Sequence, residues 1–262
     1  MMTASSGGYR ERNSTADRTL TVLGMFSDNR LHISAVEVAD TLDCARSTAY
    51  RYLQTLVSTS FLEEAPHGGF RLGIRVMELA RLARRSFSLT EIALPVMRAL
   101  ADELGETVLL TRLVDSAVIC IERCEGANQL IRLSYERGSR LPINAGASAL
   151  VLLAWLRESQ ARELLAREPL QSFTESTLVD IDSLMNRLSE IRANSVSVSV
   201  AEVDPDVIGI AAPVFGDNGA VVAALSVVTM RRRVPPKRLD DLVSAIAAAS
   251  STLSNQIVVR DG

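Results

Sequence analysis

The sequence predicts an α+β protein in two parts: a small N-terminal winged helix-turn-helix and a larger C-terminal unit around a mostly antiparallel sheet. Its 262 residues exceed the usual size of one domain and can bury two cores. Over residues 14–73, three helical periodicities precede two β-prone pieces around a Gly-containing loop, which is the element order of a helix-turn-helix with a hairpin wing. Beyond residue 89 helical and strand patterns alternate, and Gly216-Asp217-Asn218-Gly219 joins two long apolar strands as a hairpin. The predicted division is a disordered tail over 1–13, the winged unit over 14–73, a linker helix over 74–88 and the larger domain over 89–262.

The elements follow in order. Residues 1–13 are polar and Gly/Ser-bearing, with no apolar period. Ser14-Thr15-Ala16-Asp17 is a helix-start signal, and Thr19, Val22, Leu23 and Phe26 recur at helical spacing after it. Ser34-Ala35-Val36-Glu37 reads as a capping box opening a second helix, whose stripe is Ala35, Val38, Ala39 and Leu42 and which ends at Asp43. A third helix over 45–59 places Ala49, Tyr52, Leu53, Leu56 and Val57 on its inner stripe. Two short strands, 61–63 and 70–72, flank Ala65-Pro66-His67-Gly68-Gly69 as a wing. A helix over 74–85 is apolar nearly all round, which suggests a second buried face, against a partner subunit. In the larger domain helices are predicted over 89–104, 147–155, 159–166, 181–193 and 236–257. Strands are predicted over 107–113, 117–123, 130–134, 196–200, 208–214 and 220–229.

Composition bounds the function. The longest apolar stretches, 145–156 and 220–228, fall short of the roughly 20 residues that cross a bilayer. The N-terminus also lacks the apolar core of a secretory signal, so a cytoplasmic protein without a membrane partner is expected. A net charge of −3 says nothing for a nucleic-acid partner by itself, so charge placement has to be read locally.

That placement is informative on the third helix. A helix in the major groove needs a packed inner side and an outer side of hydrogen-bonding groups, because base edges there present a donor and acceptor code. The N-terminal part of the second helix of such a pair reaches the bases, which singles out Arg46, Ser47, Thr48, Tyr50 and Arg51. Phosphate contacts are expected from Arg18, Ser34, Thr55 and the wing residues His67 and Arg71. Residues 1–74 hold 7 Arg against 8 acidic residues, so non-specific affinity should be modest and a dimer on two half-sites is favoured.

From Ala45-Arg46-Ser47-Thr48-Ala49-Tyr50-Arg51-Tyr52-Leu53-Gln54-Thr55-Leu56, followed by Phe70-Arg71-Leu72-Gly73, the chain resembles the IclR family of bacterial regulators. Gly105-Glu106-Thr107, Gly138-Ser139-Arg140-Leu141-Pro142, Ile210-Ala211-Ala212-Pro213-Val214 and Ala223-Ala224-Leu225-Ser226-Val227 resemble further family landmarks in the same order. The resemblance implies a GAF-like effector domain behind the winged unit, and a homodimer or dimer of dimers on a double-stranded DNA operator. It implies a repressor or activator with no enzymatic activity and no cofactor. It also implies a pocket for a small organic effector formed by Leu130, Leu133, Leu141, Ala147, Ser148, Ser199, Gly209, Ser226 and Val228. Ala147 and Ser148 begin a predicted helix whose free amides attract a carboxylate, and Ser226 can donate a hydroxyl.

Departures from the family pattern bear on the ligand. Ala149-Leu150 stands where Gly-Lys is usual, and Ser195-Val196 and Val200 stand where Gly-Tyr and Asp are usual. A pocket with fewer polar anchors and an apolar Val228 predicts an effector with a substantial hydrocarbon or aromatic part rather than a very small keto acid. Asp43 and Ser60 also occupy positions where the family often has Gly.

Other chemistries fare less well. Both histidines, His32 and His67, lie in the winged unit, so the larger domain has no Ser-His or Cys-His pair of its own. Glu122, Glu125, Glu202, Asp204 and Asp206 could hold a cation, though loop carboxylates are more often solvated, and no Gly-x-x-x-x-Gly-Lys loop occurs. The single lysine, Lys237, follows Pro236 near a helix start and is a poor Schiff-base candidate. Cys120 and Cys124 lack the further ligands of a structural metal site but leave a redox-responsive regulator open as an alternative. A ligand-binding module whose helix-turn-helix serves protein contacts is the other.

Overall fold

The computed structural model describes residues 14–27, 29–86, 88–127 and 135–261. The predicted tail over 1–13 and the predicted strand over 130–134 lie outside the described residues. Two compact units divide between residues 86 and 87.

The first unit runs α1 (Ser14–Gly24), α2 (Ala35–Thr41), α3 (Arg46–Ser58), β1 (Leu62–Glu64), β2 (Phe70–Leu72) and α4 (Ile74–Ser86). The amide that opens α2 is satisfied as its sequence suggests: the Ser34 hydroxyl accepts from the Glu37 amide while the Glu37 carboxylate accepts from the Ser34 amide at 2.7 Å. Glu37 also holds Arg30 at 3.0 Å, and the Ser34 hydrogen bonds, ahead of that guanidinium, keep its carboxyl below the usual range. Val22, Val38, Ala39, Ala49, Leu53 and Leu56 from the three helices meet Ile33, Leu62 and Phe70 in one core. The wing pairs Leu62 with Leu72 and Glu64 with Phe70, and Ile33 adds a bridge to Phe70. Gly69 must be glycine there: its φ is +79°, and a β-carbon would meet the Ile33 carbonyl at 2.8 Å.

Asp43 and Ser60 turn the chain after α2 and α3 with φ of 46° and 61°, the left-handed region that ordinary residues enter at a cost of about 1–2 kcal/mol. Asp tolerates this conformation better than Ser. Ser60→Gly is therefore expected to stabilise the protein by about 0.5–1 kcal/mol, and Asp43→Gly by less, once the greater unfolded-state freedom of glycine is set against the relieved strain. Calorimetric unfolding of the full chain checks this, and a lowered melting temperature for Ser60→Gly would show that its turn is unstrained.

On α4 the stripe expected to be buried is open within this unit: Ile74, Met77, Leu79 and Leu82 are all exposed, Met77 to 68%. Only Val76 of the described α4 side chains is half-buried. Apolar periodicity predicts that a face will be covered, not by which chain.

The second unit runs α5 (Ser88–Leu104), β3 (Thr107–Val114), β4 (Ala117–Cys124), β5 (Arg140–Leu141), α6 (Ala147–Ala154), α7 (Glu158–Ala166), α8 (Ile181–Asn194), β6 (Ser197–Val200), β7 (Val207–Phe215), β8 (Val221–Met230), a 3-10 turn (Arg231–Arg233) and α9 (Pro236–Asp261). The strands form one antiparallel sheet in the order β5-β4-β3-β8-β7-β6. Strand alternation sends Val108, Leu110, Ile210, Ala212, Leu225 and Val227 to one side, under α5 and α9. Ala211 and Ala224 go to the other, under α6 and α8, with α7 behind them. β5 was not expected from the sequence, because two residues are too few to show a period.

Glu106, in the turn between α5 and β3, is 1% exposed and paired with two guanidiniums: Arg238 of α9, which donates to it at 2.7 Å, and Arg233 of the 3-10 turn at 3.1 Å. One buried carboxylate thus joins three elements at one end of the sheet.

Candidate nucleic-acid interface and ligand cavity

Helix α3 has two sides with different work. Ala49, Leu53 and Leu56 are buried, while Arg46, Ser47, Tyr50 and Arg51 are exposed and Thr48 is half-buried. Neither Arg46 nor Arg51 forms an ion pair among the described residues. Ala45 begins the helix without a side-chain cap, so the first amides of α3 are available to an anion such as a backbone phosphate. Tyr50 stands edge-on to Phe70 at 6.3 Å between ring centroids, which fixes its ring over the wing.

The residues expected on phosphates divide. Arg18 on α1 and His67 at the wing tip are exposed. Arg71 is exposed but paired with Glu63 at 3.0 Å, so it must exchange that partner to hold a phosphate. The Ser34 hydroxyl is engaged in the α2 cap, and the Thr55 hydroxyl donates to the Arg51 carbonyl at 2.9 Å. The work of Ser34 follows from its capping box, whereas that of Thr55 has no such signature in the sequence. Gln54 of α3 is likewise drawn aside by Glu64 at 3.2 Å.

In the second unit a cavity of about 190 Å³ opens between the α6 side of the sheet and the N-terminus of α6. Sheet register builds its floor. Ser199 pairs with Gly209 and Gly209 with Val228, so residues from β6, β7 and β8 lie in one cross-strand row. Leu109 and Ser226 form the next row, across β3 and β8. A β-carbon on Gly209 would stand 3.5 Å from that of Ala147, an ordinary van der Waals distance, so the floor has room for a methyl at this point beneath α6. Leu141, Ala147, Ser148, Ser199, Gly209, Ser226 and Val228 all line this one cavity. Leu130 and Leu133 lie outside the described residues.

The polar groups are few and specific. The Ser148 hydroxyl donates to that of Ser226 at 2.8 Å, both side chains being buried. Glu202 reaches back so that its carboxylate accepts from the Gly146 amide at 2.9 Å, just ahead of α6, and from the Ser199 hydroxyl. Burial pushes its carboxyl up, against the pull of those two hydrogen bonds. The place where an incoming carboxylate was expected thus has a resident one beside it. Tyr135 and Asp204 complete the mouth, and burial, with Asp204 adding to it, pushes the Tyr135 phenol up to about 12.

Sequence reasoning placed Tyr135, Gly146 and Val203 in no site, and weighed Glu202 and Asp204 only for a cation. Single residues in loops carry no period, and only the capping bond from Glu202 to Gly146 gives them a common purpose. Among the described residues no three His, Cys, Asp or Glu side chains converge as a metal site. Cys120 and Cys124 are free and buried, and burial pushes the Cys120 thiol up to about 11, which opposes the thiolate that redox sensing needs.

One chain that carries both a groove-reading helix and a separate ligand-sized cavity is built as a one-component transcription regulator. Residues 15–66 match the IclR helix-turn-helix domain, and residues 82–255 match the family described as bacterial transcriptional regulator IclR C-terminal. The chain belongs to the IclR family of bacterial transcription regulators, which are not enzymes. It is 28% identical to the HTH-type transcriptional regulator XynR of Escherichia coli, over 93% of this chain and 96% of that one. A solved IclR transcriptional regulator from Silicibacter matches with a TM-score of 0.83 at 26% identity, covering 93% of this chain and 96% of that one. An IclR homologue from Microbacterium hydrocarbonoxydans, solved in complex with 4-hydroxybenzoate, matches with a TM-score of 0.78 at 26% identity, over 95% of this chain and all of that one. No described helix is long and apolar enough to cross a membrane.

Proposed function

We propose that this chain is a cytoplasmic homodimer, or dimer of dimers, whose winged unit over 14–73 binds a palindrome-like operator. Its domain over 89–262 lowers or raises operator affinity on binding a small, aromatic or partly apolar effector. The observation that carries the DNA half is Arg46 and Arg51, exposed on the outer side of α3 and without an ion pair among the described residues. The exposed Ile74, Met77 and Leu82 of the linker helix give a second subunit an apolar surface to cover. Effector and operator are coupled through that helix only insofar as the effector prefers one orientation of the two recognition helices.

The size and lining of the cavity support the ligand class. An apolar cavity of roughly 150 Å³ holds benzene, and this one is slightly larger, with Leu109, Leu141, Val203 and Val228 around it. The 4-hydroxybenzoate bound by the Microbacterium homologue is a single ring of that kind. Titrating the purified protein with single-ring aromatic compounds and with short keto acids tests this, and tighter binding of the keto acids would overturn it.

Ser226→Val removes a hydroxyl from the middle of the floor and strands that of Ser148. It is expected to weaken the effector by at least about ten-fold, in line with a lost buried hydrogen bond, while operator binding without effector is kept. Fluorescence anisotropy on labelled operator, with and without effector, reads both effects. An unchanged effector response would move the ligand out of this cavity.

A further inference from the structure

Among the described residues the charged part of the cavity wall is acidic. Glu202 and Asp204 are the charged side chains among the described lining residues. Glu202 is held in place from several sides. Ala201, immediately before it, takes a left-handed φ of 58°, a strained conformation for alanine. The Ala201 amide donates to the Val207 carbonyl at 2.9 Å, and the Thr177 hydroxyl donates to the Glu202 carbonyl at 2.6 Å. The cation that Glu202 feels, Arg187, has its own guanidinium committed to Glu190 and to the Val198 carbonyl.

A carboxylate can accept about four hydrogen bonds, and Gly146 and Ser199 supply two. The capacity left over is acceptor only. Next to it, Ser148 gives its proton to Ser226. A ligand carboxylate placed here would meet one partly desolvated negative charge with a second close by, in surroundings that strengthen repulsion. A hydroxyl or ammonium would instead fill the vacant acceptor positions.

Resting on the reading of this cavity as the effector site, we propose that the effector turns a hydrogen-bond donor without negative charge, a hydroxyl or an ammonium carried by an aromatic ring, toward Glu202. Any carboxylate it bears points away from α6.

The test uses the full-length protein and three probes that share a ring and differ at the head: benzyl alcohol, benzylamine and benzoate, titrated by calorimetry at neutral pH. The alcohol and the amine are expected to bind wild type at least about ten-fold more tightly than benzoate. Glu202→Gln keeps an acceptor for Gly146 while removing the charge, and is expected to shrink the preference for amine over benzoate by a similar factor. Benzoate binding wild type as tightly as the other two, or no binding of alcohol or amine at millimolar concentration, overturns the proposal, and the wild-type order decides it should Glu202→Gln fail to fold. Gly209→Leu, which fills the floor, separates the two levels. Probe binding insensitive to it sinks the effector site itself, whereas binding that it abolishes, with benzoate preferred, sinks only the head-group assignment.

Discussion

Replacing Arg51 by alanine is expected to lower operator affinity by about 2–6 kcal/mol, from roughly 30-fold to twenty-thousand-fold, because a base-reading arginine contributes about 1–3 kcal/mol and the proposed dimer presents it twice. The structure makes the substitution clean. Arg51 is exposed on the outer side of α3, one turn from the helix start, and it makes no ion pair among the described residues whose loss would disturb the fold. The inner residues Ala49 and Leu53 on either side keep the helix packed. The loss should therefore appear in specific binding and leave thermal stability and effector binding alone. Arg18→Ala, by contrast, should weaken operator and random DNA alike and reduce the salt slope by about one for each phosphate contact removed. Anisotropy titrations of operator and scrambled duplexes at several salt concentrations distinguish the two patterns. Operator affinity unmoved by Arg51→Ala would mean that α3 does not read bases with this face.

The largest effect on stability is expected where Glu106 is clasped. Converting Arg233 and Arg238 together to methionine leaves a carboxylate that is 1% exposed with neither guanidinium. Removing the partners of a buried charge costs about 3–5 kcal/mol. The lower end applies here, since the two arginine side chains are themselves 21% and 34% exposed. For a domain of this size that is a fall in melting temperature on the order of 10 °C. Either single substitution should cost much less, because one guanidinium remains. Adding Glu106→Gln to the double variant should recover part of the loss by removing the stranded charge. A double variant that melts with wild type, in calorimetry at neutral pH, would show that Glu106 draws no stability from the pair.

How far the sequence reaches differs between the two sites. The recognition helix could be read directly, because its amphipathic period separates Ala49, Leu53 and Leu56 from Arg46, Ser47 and Arg51 within thirteen residues. The capping box of α2 was equally visible, and the same signature already commits the Ser34 hydroxyl that was also assigned to a phosphate. The cavity is different in kind. Ser199, Gly209 and Val228 are neighbours only because three strands align in register, so no local pattern could gather them, and the family resemblance did so instead. What neither route supplied was Glu202 as a cavity wall. Its orientation follows from the left-handed turn at Ala201, a residue type with no preference for that conformation.

All eight residues of α6 are buried, so the helix over the cavity has no free side and cannot step back to admit a larger guest. Anyone retuning this regulator as a biosensor should leave α6 alone and work on the opposing strands. Gly209 can take a methyl at ordinary van der Waals distance from Ala147, and trimming Val228 in the same row would return the volume. Such paired exchanges would grade the response from one analyte to the next while the helix stays where it is.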